Sequence, residues 1–131
     1  MRITKENIDR FIYGTIMDCS NKGITHIEYI PDGIIHLYCS NNKLTELPKL
    51  PDGLMELYCQ YNQLTELPKL PDGLKYLYCG DNKLTELPKL PNSLTDLYCE
   101  DNKLTYEITI DNIKEHNKLL KRKLILKRIC V

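Results

Sequence analysis

Between residues 14 and 110, apolar and polar positions recur at a spacing of 20 residues. Leu37, Leu57, Leu77 and Leu97 form one column of this pattern. Cys19, Cys39, Cys59, Cys79 and Cys99 form a second, and Asn42, Asn62, Asn82 and Asn102 a third. In register the copies read IIHLYCSNNKLTELPKLPDG from Ile34, LMELYCQYNQLTELPKLPDG from Leu54, LKYLYCGDNKLTELPKLPDG from Leu74 and LTDLYCEDNKLTYEITIDN from Leu94. A degenerate copy, GTIMDCSNKGITHIEYIPDG, begins at Gly14. Five copies at one period predict a stacked array, because no single unit can bury its apolar face alone.

Around each Leu-Tyr-Cys run the side chains alternate. Leu57 and Cys59 are expected to face inward while Glu56, Tyr58 and Gln60 face outward, as on a short strand with one buried face. The Asn then turns the chain away, and its amide can pair with backbone groups of adjacent turns that burial would otherwise leave without partners. The L-P-x-L-P segment cannot continue as an interior strand, since Pro lacks the ladder donor and restricts its predecessor. A polyproline-like wall fits it, with Leu44, Leu47 and Leu50 turned inward. Asp-Gly at 32–33, 52–53 and 72–73 supplies the turn into the next strand.

The ends depart from the pattern, as the ends of such an array must. Thr4 followed by KENIDRFIY reads as an N-cap and a short amphipathic helix, with Ile8, Phe11 and Ile12 covering the first turn. Lys22 occupies the Asn column in the first copy, so the Asn ladder is expected to begin at Asn42. Glu107 replaces an inward Leu in the last copy and both prolines vanish. Asp111 starts a second helix with Ile113, Leu120 and Leu124 in one stripe, and residues 124–131 read equally as helix or extended chain. The organisation is therefore an N-terminal helical cap at 1–13, five repeats at 14–110 with the last incomplete, and a basic C-terminal cap helix or tail at 111–131.

The pattern L-x-x-L-x-C-x-x-N-x-L-T-x-L-P-x-L-P-x-x resembles the leucine-rich repeat in its shortest, 20-residue subtype. That subtype occurs in secreted effectors of enteric bacteria, and similar Cys-bearing repeats occur in proteins of giant DNA viruses. The resemblance covers roughly residues 14–110 with several matching positions per copy. It implies an α/β fold: a right-handed solenoid with parallel strands on one face, an extended convex face and short helical caps at both ends. It also implies a protein-binding role.

Composition narrows the choice of partner. Net charge is zero, from 18 basic and 18 acidic side chains, but the charges are unevenly placed. Residues 14–110 carry eight positive and fourteen negative charges, whereas residues 111–131 carry seven positive and two negative. An acidic body and a basic tail lie inside the neutral total. The tail has no interleaved aromatics or recognised nucleic-acid motif, so its charges read as a solvated helix face and nucleic acid is disfavoured as a partner. No apolar run approaches the ~20 residues needed to span a bilayer. MRITKENIDRFIYG interrupts every apolar run, so no secretory signal is expected.

The cysteine column invites a metal reading that geometry opposes. Sulfurs on strands ~4.8 Å apart form a line, whereas tetrahedral zinc needs four ligands each ~2.3 Å from one centre. Disulfides between adjacent turns would need Cβ atoms to approach to ~3.8 Å. The column therefore reads as small buried apolar side chains with no metal and no cofactor. Six thiols point to a reducing compartment, hence the cytoplasm, or the host cytoplasm for a viral or effector protein. Cys130 stands outside the column, either a free surface thiol or part of a terminal contact.

Candidate contact residues are those that packing does not fix. The outward columns hold Tyr38, Tyr58, Tyr78 and Tyr98 at the centre, and His36, Glu56, Tyr76 and Asp96 on one side. Glu100 lies on the other side, followed by Tyr61, Asp81 and Asp101. Tyr combines a large rigid area with a polar tip and is enriched at binding hot spots, although a Tyr column also gains from stacking on itself. Five strands showing some four residues each present only roughly 300 Å², against ~800 Å² per partner in a standard interface. The expected partner is an extended peptide, or a protein that also grips the flanks. No glycine-rich phosphate loop, histidine pair at ligand spacing or nucleophile motif appears, so an enzyme is not expected. The alternatives are self-association through the C-terminal segment, with Leu119, Ile125, Leu126, Ile129 and Val131 unburied by a single cap, or a substrate adaptor for a separate enzyme.

Overall fold

A computed structural model describes residues 1–129, with side chains through Lys127; Cys130 and Val131, and the expectations attached to them, lie outside the described residues. The chain opens with β1 (Arg2–Ile3), a 3-10 turn (Ile8–Phe11), β2 (Ile12–Tyr13), β3 (Ile16–Asp18) and β4 (His26–Ile27). One strand per repeat follows: β5 (His36–Tyr38), β6 (Glu56–Tyr58), β7 (Tyr76–Tyr78) and β8 (Asp96–Tyr98). A 3-10 turn (Ile110–Asn112) then leads into α1 (Ile113–Ile129).

The repeat period becomes the register of a six-stranded sheet in the order β2-β3-β5-β6-β7-β8. From β3 onward every pairing is parallel, and identical repeat positions face each other: Leu37, Leu57, Leu77 and Leu97 in one row, Tyr38, Tyr58, Tyr78 and Tyr98 in the next. With three-residue strands repeating every 20 residues, the 17-residue connections are long enough for the crossover that parallel pairing requires. Inside lie Leu37, Leu57, Leu77 and four of the column cysteines, all with no exposed surface, and Met17 takes the Leu place in the first turn. Leu44, Leu47 and Leu50 and their equivalents close the core from the convex side.

The turns between repeats are made by the backbone of Pro-Asp-Gly, with the amide of Ile34, Leu54 and Leu74 donating to the carbonyl of Pro31, Pro51 and Pro71 at 3.1–3.2 Å. Asn92-Ser93 makes the same turn before Leu94, and Ser93 Oγ donates to the carbonyls of Asp72 and Leu74 at 2.7 and 2.6 Å. The Gly at this position is thus not needed for a left-handed backbone.

The interior polar groups are joined by the Asn ladder, which begins at Asn42. Asn62 Nδ2 donates to the carbonyls of Cys39 and Cys59 at 3.0 and 3.1 Å, and its Oδ1 accepts the Leu44 amide at 3.0 Å. Asn42, Asn82 and Asn102 repeat this one turn earlier or later. Each Asn stitches its own turn to the one before it.

The N-terminal cap is less helical than its sequence suggests. Its helical part is the single 3-10 turn Ile8–Phe11, and the residue before it is Asn7 rather than Thr4. Asn7 Oδ1 accepts the Thr4 amide at 2.8 Å and its Nδ2 donates to the Arg2 carbonyl at 2.9 Å. The flanking backbone is held in strands, β1 on β4 and β2 antiparallel on β3, which confines the helical part to the eight residues between them. Ile8 and Phe11 still bury against the core as the sequence requires. At the other end the undecided segment 124–131 is helical through Ile129.

Candidate functional site

The strands bring the outward candidates onto one surface. The rings of Tyr38, Tyr58, Tyr78 and Tyr98 adjoin in sequence, with centroids 4.9, 4.4 and 4.9 Å apart: the first pair is tilted, the middle pair stacked and the last edge-on. Beside them, the register lines up His36, Glu56, Tyr76 and Asp96. Glu56 gathers two neighbours at one oxygen: the Tyr38 hydroxyl donates to Oε2 at 2.7 Å, and His36 Nδ1 lies 3.0 Å from the same atom. The inner ladder is half-buried by its own stacking, whereas Tyr98 at the end is 57% exposed. Burial, then the hydrogen bond to the Glu56 carboxylate, pushes the Tyr38 phenol up to about 12. Burial is also the first cause holding Tyr58 and Tyr78 above the ordinary phenol range. Near neutral pH these rings are uncharged, with the stacked faces covered and the edges available.

Glu100, Tyr61, Asp81 and Asp101 lie where the chain leaves the strands, and one position there is conformationally unusual in every turn. Asn21, Asn41, Tyr61, Asp81 and Asp101 all have left-handed backbones, with φ between +55° and +58°. The αL conformation brings Cβ close to the following carbonyl, and Asn and Asp tolerate it because a short polar side chain can bond locally. Four copies obey that rule and Tyr61 breaks it. Its ring makes no stacking contact and its hydroxyl no hydrogen bond among the described residues, and the side chain is 55% exposed. The Asn/Asp choices at the other four positions were a signal of this turn that the alternation of the strand obscures.

No protein-family model matches the chain, and no curated protein sequence matches it. Solved structures do. The chain is similar to YopM from Yersinia enterocolitica WA-314, with a TM-score of 0.70 and 38% identity over 72% of this chain and 21% of that one. It is likewise similar to a Shigella effector LRR domain, with a TM-score of 0.70 and 32% identity over 80% of this chain and 47% of that one. The chain is a leucine-rich-repeat protein, with repeats of the bacterial effector type. It spans about a fifth and about half of the two solved chains.

The leucine-rich repeats end on a polar clamp that the sequence does not advertise. His116, one of three scattered histidines, is 1% exposed on α1, with Nε2 3.0 Å from the Pro88 carbonyl and Nδ1 2.6 Å from the Tyr106 hydroxyl. Asn117 pairs twice with one residue, donating to the Leu90 carbonyl and accepting the Leu90 amide, both at 2.9 Å. Ile113 buries as expected from the stripe, but Leu120 is only half-buried and Leu124 is 54% exposed. The helix is held by one apolar residue and two polar ones against the last complete convex segment, and then runs past it. A histidine and an asparagine among lysines read as surface residues because their partners lie 10–28 positions away in sequence.

No helix among the described residues is long and apolar enough to cross a membrane. Among the same residues no group of three or more His, Cys, Asp or Glu side chains is placed to hold a metal ion.

Proposed function

We propose that this chain is a non-catalytic protein-binding module, working in a reducing compartment, that holds an extended and basic partner segment along its strand face. Tyr61 is the observation that carries the reading. A left-handed backbone costs a bulky L-residue about 1 kcal/mol more than Asn or Asp, and strain of this kind collects where function needs it. Among the described residues the Tyr61 side chain makes no hydrogen bond and no aromatic contact, and more than half of it faces solvent, so contact with a partner is the reading that accounts for the strain. The rest of the surface suits the same partner: stacked uncharged phenols in the middle, and Asp81, Asp96, Glu100 and Asp101 toward one end. An extended segment also fits a face too narrow for a globular protein.

Tyr61→Asn is expected to raise stability by about 1 kcal/mol, seen as a higher urea midpoint with an unchanged slope, while weakening partner binding. Random dodecapeptides displayed on phage and selected on the native chain should emerge rich in Lys and Arg. The selected peptides should bind Tyr61→Asn at least tenfold more weakly, and the double variant Tyr58→Ala, Tyr78→Ala more weakly still. Peptides that bind both variants as tightly as the native chain would remove the strand face from the function.

A second reading, self-association through α1, draws on Leu119, Leu124, Ile125 and Leu126, which are 39–58% exposed. It predicts a mass by light scattering that rises with concentration and returns to the monomer on Leu124→Lys, Leu126→Lys. A monomer at all concentrations sinks it.

A further inference from the structure

Each interior turn is seated under its successor by the same set of bonds. The amides of Cys39, Cys59 and Cys79 donate to the carbonyls of Tyr58, Tyr78 and Tyr98 at 2.7–2.8 Å. Those of Asn41, Tyr61 and Asp81 donate to Gln60, Gly80 and Glu100 at 2.9–3.1 Å. Those of Leu44, Leu64 and Leu84 donate to Oδ1 of Asn62, Asn82 and Asn102, each at 3.0 Å. In the last turn the same donors recur at Cys99, Asp101 and Leu104, and none of them meets an acceptor among the described residues. β8 is an open edge of the sheet.

The apolar floor beneath that edge is uncovered as well. Leu77 and Leu84 have no exposed surface, whereas their counterparts Leu97 and Leu104 are half-buried. Between them and the returning segment 105–109 opens a slot of about 470 Å³, floored by Leu97, Cys99, Leu104, Tyr106 and Ile108. No residue of α1 lines it, because the helix is committed to the convex side at Pro88 and Leu90. The opposite end of the sheet is closed differently, by β2 lying antiparallel on β3.

We infer that this end of the solenoid is a second, separate binding site that takes an extended segment of a partner protein as an added parallel strand. The interior turns specify the occupant. Its first carbonyl accepts the Cys99 amide and the carbonyl two residues later accepts the Asp101 amide. The residue between them turns a small apolar side chain into the slot. An Asn four residues after the first carbonyl reaches the Leu104 amide, as Asn62 reaches Leu44. Main-chain bonds at a sheet edge give affinity, and the inward pocket and the Asn requirement give selectivity. The slot borders Tyr98, Glu100 and Asp101 of the strand face, but Tyr58, Tyr61 and Tyr78 do not line it, so loss of binding at one can be told from loss at the other.

The probe is a synthetic peptide with the sequence of residues 74–84, LKYLYCGDNKL, which carries every element of the occupant. Added in excess under reducing conditions to the full chain, it should slow amide hydrogen exchange at Cys99, Asp101 and Leu104 at least tenfold, read by NMR. The same peptide with Ala in place of Asn82 should leave Leu104 unprotected. Leu97→Lys sets an ammonium on the floor of the slot and should abolish the protection, provided circular dichroism shows the fold retained. Unchanged exchange at millimolar peptide overturns the inference. Protection that spreads equally to Asn41 and Asn42, or that grows with protein concentration in the absence of peptide, does so too.

Discussion

Raising the pH from 9 to 10.5 is expected to unfold this protein. The cause is the cysteine column. Cys19, Cys39, Cys59 and Cys79 have no exposed surface. Burial pushes the Cys19 thiol up from 9.0 to about 12, and Cys39, Cys59 and Cys79 also stand well above 9.0, with burial the leading cause in each. In the unfolded chain the same thiols ionise near their ordinary value. Above that pH the unfolded state holds fewer protons than the native one, so stability falls with rising pH. It is fully present below about 9 and is lost on the way to the raised native values. Each thiol contributes ~1.36 kcal/mol per pH unit in that window, so at pH 10.5 four thiols remove on the order of 8 kcal/mol. That is most of the 5–15 kcal/mol available to a domain of ordinary stability. Tyr38, raised from 10.0 to about 12, adds to the loss with the same sign. Urea midpoints between pH 7 and 11 should fall steeply above 9, with thiolate absorbance appearing only as the chain unfolds. In Cys39→Ala, Cys59→Ala, Cys79→Ala the starting stability is lower but the pH dependence should flatten. A slope unaffected by the triple substitution would mean that the thiols are not the groups that titrate.

The same columns explain how far the sequence reaches. Leu57, Cys59, Asn62, Leu64, Leu67 and Leu70 each recur at one spacing, and each repeat position meets a single environment, so period and polarity together specify register and burial. Repetition averages away the ambiguity that a lone three-residue strand would carry. Legibility ends where repetition ends. Ile8 and Phe11 show which side of the N-terminal cap is buried, but not that β1 and β2 take up the flanking chain and only a single 3-10 turn forms between them. His116 and Asn117 bind backbone groups of Pro88 and Leu90, partners that no local pattern identifies. The outward candidates were legible as a surface, because Tyr38, Tyr58, Tyr78 and Tyr98 occupy the alternate positions of recognised strands. Which of them matters was not. Tyr61 stands out only once the left-handed backbone of its column is known, since the cost lies in φ and not in composition.

Removal of one Asn from the ladder is expected to cost about 3–4 kcal/mol, and removal of two neighbours more than the two losses combined. Asn62→Ala leaves the Leu44 amide buried with no acceptor, which costs ~1–3 kcal/mol. The carbonyls fare better. Cys39 O is bonded by both Asn42 and Asn62, and Cys59 O by both Asn62 and Asn82, so each keeps one donor when Asn62 is lost. The single variant therefore forfeits two redundant bonds, each ~0.5–1.5 kcal/mol, in addition to the orphaned amide. In Asn62→Ala, Asn82→Ala the Cys59 carbonyl loses both donors at once and becomes a buried acceptor with nothing to accept. The coupling between these two positions should be about 1 kcal/mol or more in the destabilising direction. Asn42 and Asn82 share no carbonyl, one serving Cys19 and Cys39 and the other Cys59 and Cys79. Their double variant should therefore be additive within the error of the measurement. Both cycles can be read from urea midpoints in sulfate, which strengthens burial enough to keep the doubles folded at zero denaturant. Equal coupling in the two cycles would show that loss spreads by general loosening of neighbouring turns. Coupling confined to the adjacent pair would show that the unit of cooperation in this solenoid is the shared carbonyl.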